Sequence, residues 1–283
     1  MTSLDVRISK CAGFCWGVER ALDMTLAAAE QAPKPVNTLG PLIHNPSVIR
    51  DLKRRGVGVI GDLPDTASGG TVILRSHGVP RGVKERLCDL GIQVIDATCP
   101  FVTAAQEKAA RLKGDGYLVI ILGERDHPEV LGLRSYAGED SLVVESPADL
   151  PAKLPNKRVG VVVQTTQSQE RLSELVAHLA PSAKELLVHN TICSATEQRQ
   201  AAAMAMASEV DAVVVVGGRD SGNTRRLAEL CRARQPNTHH IESANEIDPA
   251  WFGGVQTVGV TAGASTPPEQ IEAVARHLKE IEL

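Results

Sequence analysis

No run of apolar residues is long enough to cross a bilayer. The longest, such as Tyr117 to Leu122, fall far short of the ~20 residues that a membrane helix needs. The opening MTSLDVRISKC lacks a basic segment followed by an apolar core, so no secretory signal is expected. Neither sign of charge dominates: 30 Lys and Arg stand against 34 Asp and Glu, a net −4, which argues against bulk nucleic-acid binding. Neither a G-x-G-x-x-G nor a Walker loop is present, so the glycines alone do not point to a nucleotide. Aromatics are scarce, seven in 283 residues, and three of them (Phe14, Trp16 and Phe101) flank two of the cysteines. There they read either as apolar shielding for a metal centre or as ordinary core. What remains is globular composition, 43% hydrophobic and 23% charged, in a chain that suits two or three modules. Six cysteines without an export signal read as metal-binding or catalytic rather than as a disulfide framework.

Three of those cysteines form a pattern. Cys15, Cys99 and Cys193 are 84 and 94 residues apart, and each follows a short apolar run and precedes a helix-like stretch. The approaches read LDVRISKCAGFC, IQVIDATC and ELLVHNTIC; the stretches beyond begin WGVERAL, PFVTAAQ and SATEQRQ. Gly40, Gly123 and Gly217 lie 25, 24 and 24 residues after their cysteines. Each closes an extended run (PVNTL, YLVIIL, DAVVVV) and opens a polar loop (PLIHNP, ERDHPE, GRDSGNT). The second and third runs are continuously apolar, as parallel strands buried on both faces are. Helix-like segments follow, clearest over 46–55 and 224–234. A second set of strand-end loops then finishes at His77, Thr165 and Ser265.

Alternation of this kind predicts an α/β fold of three pseudo-threefold related modules with mostly parallel sheets. The modules span 15–98, 99–192 and 193–283. The last lacks the strand that the first two supply to the next cysteine, so residues 1–14 are expected to complete it. Ligands collect at the carboxyl ends of such sheets, where the cysteines and both sets of polar loops lie.

The residue types at those ends suit particular chemistry. A helix N-terminus favours the thiolate that metals need. Ligands about 90 residues apart do not resemble the close pairs of structural zinc; three thiolates suit a 4Fe–4S cluster with one iron open to substrate. Cys11, four residues before Cys15, does not share that position but could compete as a ligand, whereas Cys88 and Cys231 fall in helical patterns and read as packing residues. His44 with Asn45, His77, His127, Ser221 with Asn223, and Ser265 form a second set. Imidazoles, hydroxyls and backbone N–H groups can surround a diphosphate without lysine; a zinc or iron site built from the histidines is the rival reading. Glu129, in DHPEV, is the natural proton donor, with Thr165 and Thr166 as relays. Asp220 reads as a turn or cap residue, and Asp96 as ordering the backbone around Cys99.

Taken in order, CAGFCWGVERA, IHN, SHGV, DATCPFV, HPEV, QTT, ICSATEQRQ, SGNTRRL and TAGAS resemble the LytB family over essentially the whole chain. Its members reduce 4-hydroxy-3-methylbut-2-enyl diphosphate to isopentenyl and dimethylallyl diphosphates, the last step of the non-mevalonate isoprenoid pathway. The resemblance implies a trefoil of three α/β modules around a 4Fe–4S cluster held by Cys15, Cys99 and Cys193. It implies diphosphate contacts from His44, His77, Ser221, Asn223 and Ser265, with His127 lining the pocket, and proton delivery by Glu129 assisted by Thr165. Some members carry two serines before the asparagine; here the backbone N–H of Gly222 stands in for the second hydroxyl. Ferredoxin or flavodoxin as electron donor, a monomeric state and a cytoplasmic location are further implications. Two alternatives differ in class. Quinolinate synthase also has three modules and a three-cysteine cluster, but HPEV, QTT and TAGAS argue against it. An iron–sulfur sensor or zinc-stabilised module would leave the glutamate and threonines without a role.

Overall fold

In the computed structural model, which describes residues 3–63 and 69–281, one succession of elements occurs three times. It begins with β1 (Asp5–Ile8), α1 (Trp16–Gln31), β2 (Val36–Leu39), α2 (Pro46–Arg54), β3 (Val57–Ile60), β4 (Thr71–Leu74), α3 (Val83–Asp89) and β5 (Gln93–Asp96). It returns in α4 (Pro100–Gly114), β6 (Leu118–Leu122), α5 (Pro128–Ala137), β7 (Leu142–Val144), β8 (Arg158–Val163), α6 (Gln169–Leu179) and β9 (Glu185–Val188). The third pass is α7 (Ser194–Ala207), β10 (Ala212–Val216), α8 (Gly222–Arg234), β11 (Thr238–Ile241), β12 (Thr257–Ala262) and α9 (Pro268–Lys279).

These strands form three four-stranded sheets of spatial order β3-β2-β4-β5, β7-β6-β8-β9 and β11-β10-β12-β1. Every ladder among the described residues is parallel, so the α/β class with parallel sheets is as expected. In the third sheet the place of β5 and β9 is held by β1, paired with β12 from Asp5↔Thr257 to Ile8↔Val260. By compactness the chain divides into two units. One, residues 1–16, 44–48 and 194–283, carries the third sheet; the other, residues 17–43 and 49–193, carries the first two. No described helix is long and apolar enough to cross a membrane.

Inner strands β6 and β10 are apolar throughout because both faces are covered. Leu118, Ile120 and Leu122 of β6 pack with Leu172, Leu175 and Leu179 of α6. Val119 and Ile121, pointing the other way, pack with Ala105, Ala109 and Leu112 of α4 and Leu133 of α5. The period of two along a strand produces this division. In β10, Val214 and Val216 face Ile271, Val274 and Leu278 of α9, and Val213 and Val215 face Ala203, Leu227 and Ala228 of α7 and α8. Edge strands β1 and β9 are partly exposed.

Size complementarity repeats across the helix–sheet contact. A Cβ on Gly160 in β8 would fall 2.7 Å from a methyl of Leu112, and one on Gly259 in β12 would fall 2.8 Å from the Met206 methyl. Leu112 and Met206 stand 13 residues after Cys99 and Cys193. At those positions the first repeat has Thr71 and Ala28, both buried, so the larger residue is on the strand and the smaller on the helix.

Two expectations need correction. The helix expected over 224–234 begins at Gly222, because the Ser221 Oγ accepts the Thr224 N–H (3.3 Å) and caps it there. Cys88 is exposed on α3 rather than packed, because the buried face of this short helix is set by Leu87; Cys231 is buried as expected.

Gly160→Val is expected to destabilise the metal-free chain by about 1–3 kcal/mol through overpacking against Leu112. In urea unfolding, adding Leu112→Ala should recover part of that loss relative to the sum of the two single effects. Strict additivity would contradict the proposed complementarity.

Candidate active site

Each of the three repeated cysteines is set in place by the same bond. The Cys15 N–H donates to the Ala264 carbonyl (3.2 Å), the Cys99 N–H to Ser76 (3.0 Å) and the Cys193 N–H to Thr165 (3.0 Å). Each acceptor lies two residues past the end of a neighbouring strand: β12, β4 and β8 respectively. At Cys99 and Cys193 the bond keeps the register of the parallel ladder, at Cys15 it follows two extra residues, and each cysteine is left at a strand-to-helix junction. Cys99 is the N-cap of α4, with Pro100 at the first helical position, and Cys15 and Cys193 immediately precede α1 and α7. All three are half-buried, as is Cys11. Asp96 orders the approach to Cys99, accepting the Thr98 N–H on Oδ1 (3.1 Å).

Within the unit that carries the first two sheets, Thr165 joins an acid to a cysteine. Its N–H donates to Glu129 Oε1 (2.6 Å) and its Oγ1 to Oε2 (2.9 Å), while its carbonyl receives the Cys193 N–H. Glu129 is 2% exposed. Burial lifts its carboxyl from the ordinary 4.5 to about 7, against the two bonds from Thr165 and with a small push from the Glu124 charge. His127 caps α5, its Nδ1 accepting the Glu129 N–H (3.2 Å). The neutral ring therefore carries its proton on Nε2 and presents a donor there. The His77 ring meets it edge-on, with centroids 5.5 Å apart. The His77 turn is held by Arg75, whose Nε donates to the Gly78 carbonyl (3.3 Å).

The other unit holds a different set. Ser221 caps α8, and Gly222 and Asn223 form its first turn. Asn223 is 5% exposed, yet neither end of its side-chain amide has a bonded partner among the described residues. A buried amide left open costs stability, and here it lies in a helix N-terminus, where N–H groups and the dipole favour an anion. Ser265 donates from Oγ to the His44 carbonyl (3.2 Å). Gly218 lets the loop after β10 approach that carbonyl, since a Cβ there would lie 2.5 Å from it. Asn45, next to His44, caps α2 through Oδ1 and donates to Gln270 (3.1 Å).

Several side chains escaped the reading of the sequence. Gln164, the first residue of QTT, accepts the Glu124 N–H on Oε1 (2.9 Å) and steadies the loop ahead of Glu129; the motif carried that signal, whereas Arg75 had none. Two of the three aromatics beside the cysteines are not core: Trp16 is 59% exposed and Phe101 44%, while Phe14 is half-buried. Among the described residues the hydrogen bonds to the Glu129 carboxyl come from Thr165, not from Thr166.

The chain is similar to known proteins over nearly its whole length. The model of the LytB protein family matches residues 6–279. The chain is 49% identical over 280 residues to the 4-hydroxy-3-methylbut-2-enyl diphosphate reductase of Geobacter sulfurreducens, covering 99% of this chain and 98% of that one. It is 45% identical over 278 residues to that of Anaeromyxobacter sp. strain K, covering 98% and 100%. A solved structure of (E)-4-hydroxy-3-methyl-but-2-enyl diphosphate reductase, the terminal enzyme of the non-mevalonate pathway, superimposes with a TM-score of 0.71 at 44% identity, covering 98% of this chain and all of that one. The reductase from Plasmodium falciparum gives 0.88 at 26% identity, covering 96% and 86%.

The raised carboxyl has a consequence for stability. Glu129 holds its proton more tightly folded than unfolded, so its contribution is complete below pH about 4.5 and is lost as pH rises through about 7. Glu129→Gln should remove that loss, giving a flatter profile of denaturant midpoint between pH 4.5 and 7. Identical profiles for the two proteins would show that the carboxyl titrates normally.

Proposed function

The chain belongs to the LytB family, and we propose that it reduces 4-hydroxy-3-methylbut-2-enyl diphosphate to isopentenyl and dimethylallyl diphosphates. The observation that carries this reading is Thr165, which bonds a buried, proton-holding Glu129 on one side and the amide of Cys193 on the other. An acid tied that closely to a cysteine at a strand-to-helix junction suits proton delivery beside a redox centre.

The thiols fit the group that the family implies. Three soft sulfur donors at equivalent junctions, half-buried and fixed by equivalent bonds, suit an iron–sulfur cluster. Cys15, Cys99 and Cys193 would hold a 4Fe–4S cluster with one iron lacking a protein ligand. When bound, that cluster supplies electrons and a Lewis acid for the hydroxyl of the substrate.

The chain's own residues do the rest. The Asn223 amide, the Ser221 and Ser265 hydroxyls, the Gly222 N–H and the α8 N-terminus bind diphosphate oxygens, together with His44 and His77. His127 lines the pocket and offers its Nε2–H as a donor. The reaction consumes two electrons and two protons: the C–O bond breaks, one proton leaves with the hydroxyl as water, and the other forms a C–H bond. Glu129, protonated up to about pH 7, gives its proton to the departing oxygen, and the Thr165 hydroxyl holds the carboxyl in place.

The reading divides the chain into modules 15–98, 99–192 and 193–283, the last completed by residues 1–14; residues 1–2 and 282–283 at its ends lie outside those described. It also places the enzyme in the cytoplasm as a monomer supplied by ferredoxin or flavodoxin.

Anaerobic turnover with reduced methyl viologen tests the reading and should yield both products. Glu129→Gln should keep its iron and bind substrate while turnover falls by about 100-fold or more; full activity would remove Glu129 from its role. Asn223→Ala should raise KM about 10- to 100-fold, in line with loss of a hydrogen bond to a charged group, with a smaller change in kcat. An unchanged KM would remove Asn223 from the diphosphate site.

A further inference from the structure

Two arginines reach from the first helix of a repeat to the backbone just ahead of a cysteine. Arg20, on α1, donates from Nη1 to the carbonyl of Thr98 (3.2 Å), the residue before Cys99. Arg199, on α7, donates from Nη2 to the carbonyl of Gly13 (2.7 Å), two residues before Cys15. Its Nη1 also reaches the Ala195 carbonyl on its own helix (3.3 Å), which fixes the side chain at its base. The two occupy matching places, five residues after Cys15 and six after Cys193. Each clamps the loop that leaves the last strand of its own sheet, β5 for Arg20 and β1 for Arg199.

The second repeat differs. Positions five and six after Cys99 are Ala104 and Ala105. The loop before Cys193 is instead held by neutral groups: Asn190 Oδ1 accepts the Ile192 N–H (3.1 Å), and Thr191 Oγ1 accepts the Val163 N–H (2.8 Å). Neutral side chains can therefore anchor such a loop in this fold. Arg199 is nonetheless only 4% exposed, and burying a guanidinium is costly unless its hydrogen bonds are well made. A charge-assisted bond to a carbonyl is stronger than a neutral one, and it leaves a permanent cation in the turn before a thiol. Groups behind a metal ligand set its orientation.

We infer that Arg20 and Arg199 are positioning residues for the cluster-binding cysteines, Arg20 for Cys99 and Arg199 for Cys15, each acting by clamping a loop carbonyl. This rests on the reading of Cys15, Cys99 and Cys193 as cluster ligands.

Hydrogen–deuterium exchange on the metal-free chain tests the clamps, because the Cys15 and Cys99 amides are themselves hydrogen-bonded reporters. Arg199→Met should speed exchange about tenfold or more, the loss expected for one charge-assisted bond, in the peptide spanning residues 9–16. It should leave 96–102 unchanged. Arg20→Met should do the reverse. After anaerobic reconstitution both variants should release iron to a chelator about tenfold faster than the wild type, and Arg199→Lys should recover most of that difference. Unchanged exchange at both loops, or an equal rise throughout the chain, would overturn the inference. Should Arg199→Met fail to fold, the half-buried Arg20 decides by the same criteria. A wild-type chain that takes up no iron would overturn the cluster reading itself, and exchange on the metal-free protein separates that failure from failure of the clamps.

Discussion

Everything at the site depends on one backbone hydrogen bond made three times: a cysteine N–H to the carbonyl two residues beyond a neighbouring strand. The bond is local and neutral, yet it converts a sheet edge into a fixed attachment point. It requires a parallel sheet, because only there does the strand leading into the cysteine run beside a strand ending at the same level. The parallel sheet in turn requires helical crossovers and inner strands that are apolar on both faces, as in β6, β8 and β10. The position of each thiol thus follows from the buried valines and isoleucines beneath it.

On that frame the chain keeps polar groups in states that folding alone would not select. Glu129 is buried without a cationic partner among the described residues and holds a proton at a pH where exposed carboxylates have lost theirs. Asn223 is buried with both ends of its amide lacking a hydrogen-bond partner among the described residues. Each lowers stability, and the proposed reaction would give each a use: a carboxyl that donates a proton and an amide that binds an anion. Site residues commonly violate the rules that govern the rest of a fold in this way. Thr165 lets the violation persist, because its three backbone and side-chain bonds fix the acid relative to Cys193.

Much of this is legible in the sequence. The constant offsets from Cys15, Cys99 and Cys193 to Gly40, Gly123 and Gly217 reveal the repeat, and continuous apolar runs reveal parallel strands. Paired size changes across a helix–sheet contact are not legible, because Gly160 with Leu112 and Gly259 with Met206 complement each other over a distance that periodicity does not measure. Arg20 and Arg199 read as ordinary helix-surface residues; only the packed structure shows them turned toward a cysteine loop. Trp16 and Phe101 mislead in the opposite direction, since aromatic character alone does not determine burial. Cys88 misleads likewise, because a short helix buries only a narrow stripe.

The central claim is that three thiols hold a cluster with one iron open to substrate. Anaerobic iron and sulfide determination, with an absorption or Mössbauer spectrum recorded before and after adding the diphosphate substrate, tests it most directly. The account predicts about four irons per chain and a change confined to a single iron when substrate binds. A spectrum indifferent to substrate, or a protein that carries four-coordinate zinc instead, would contradict it.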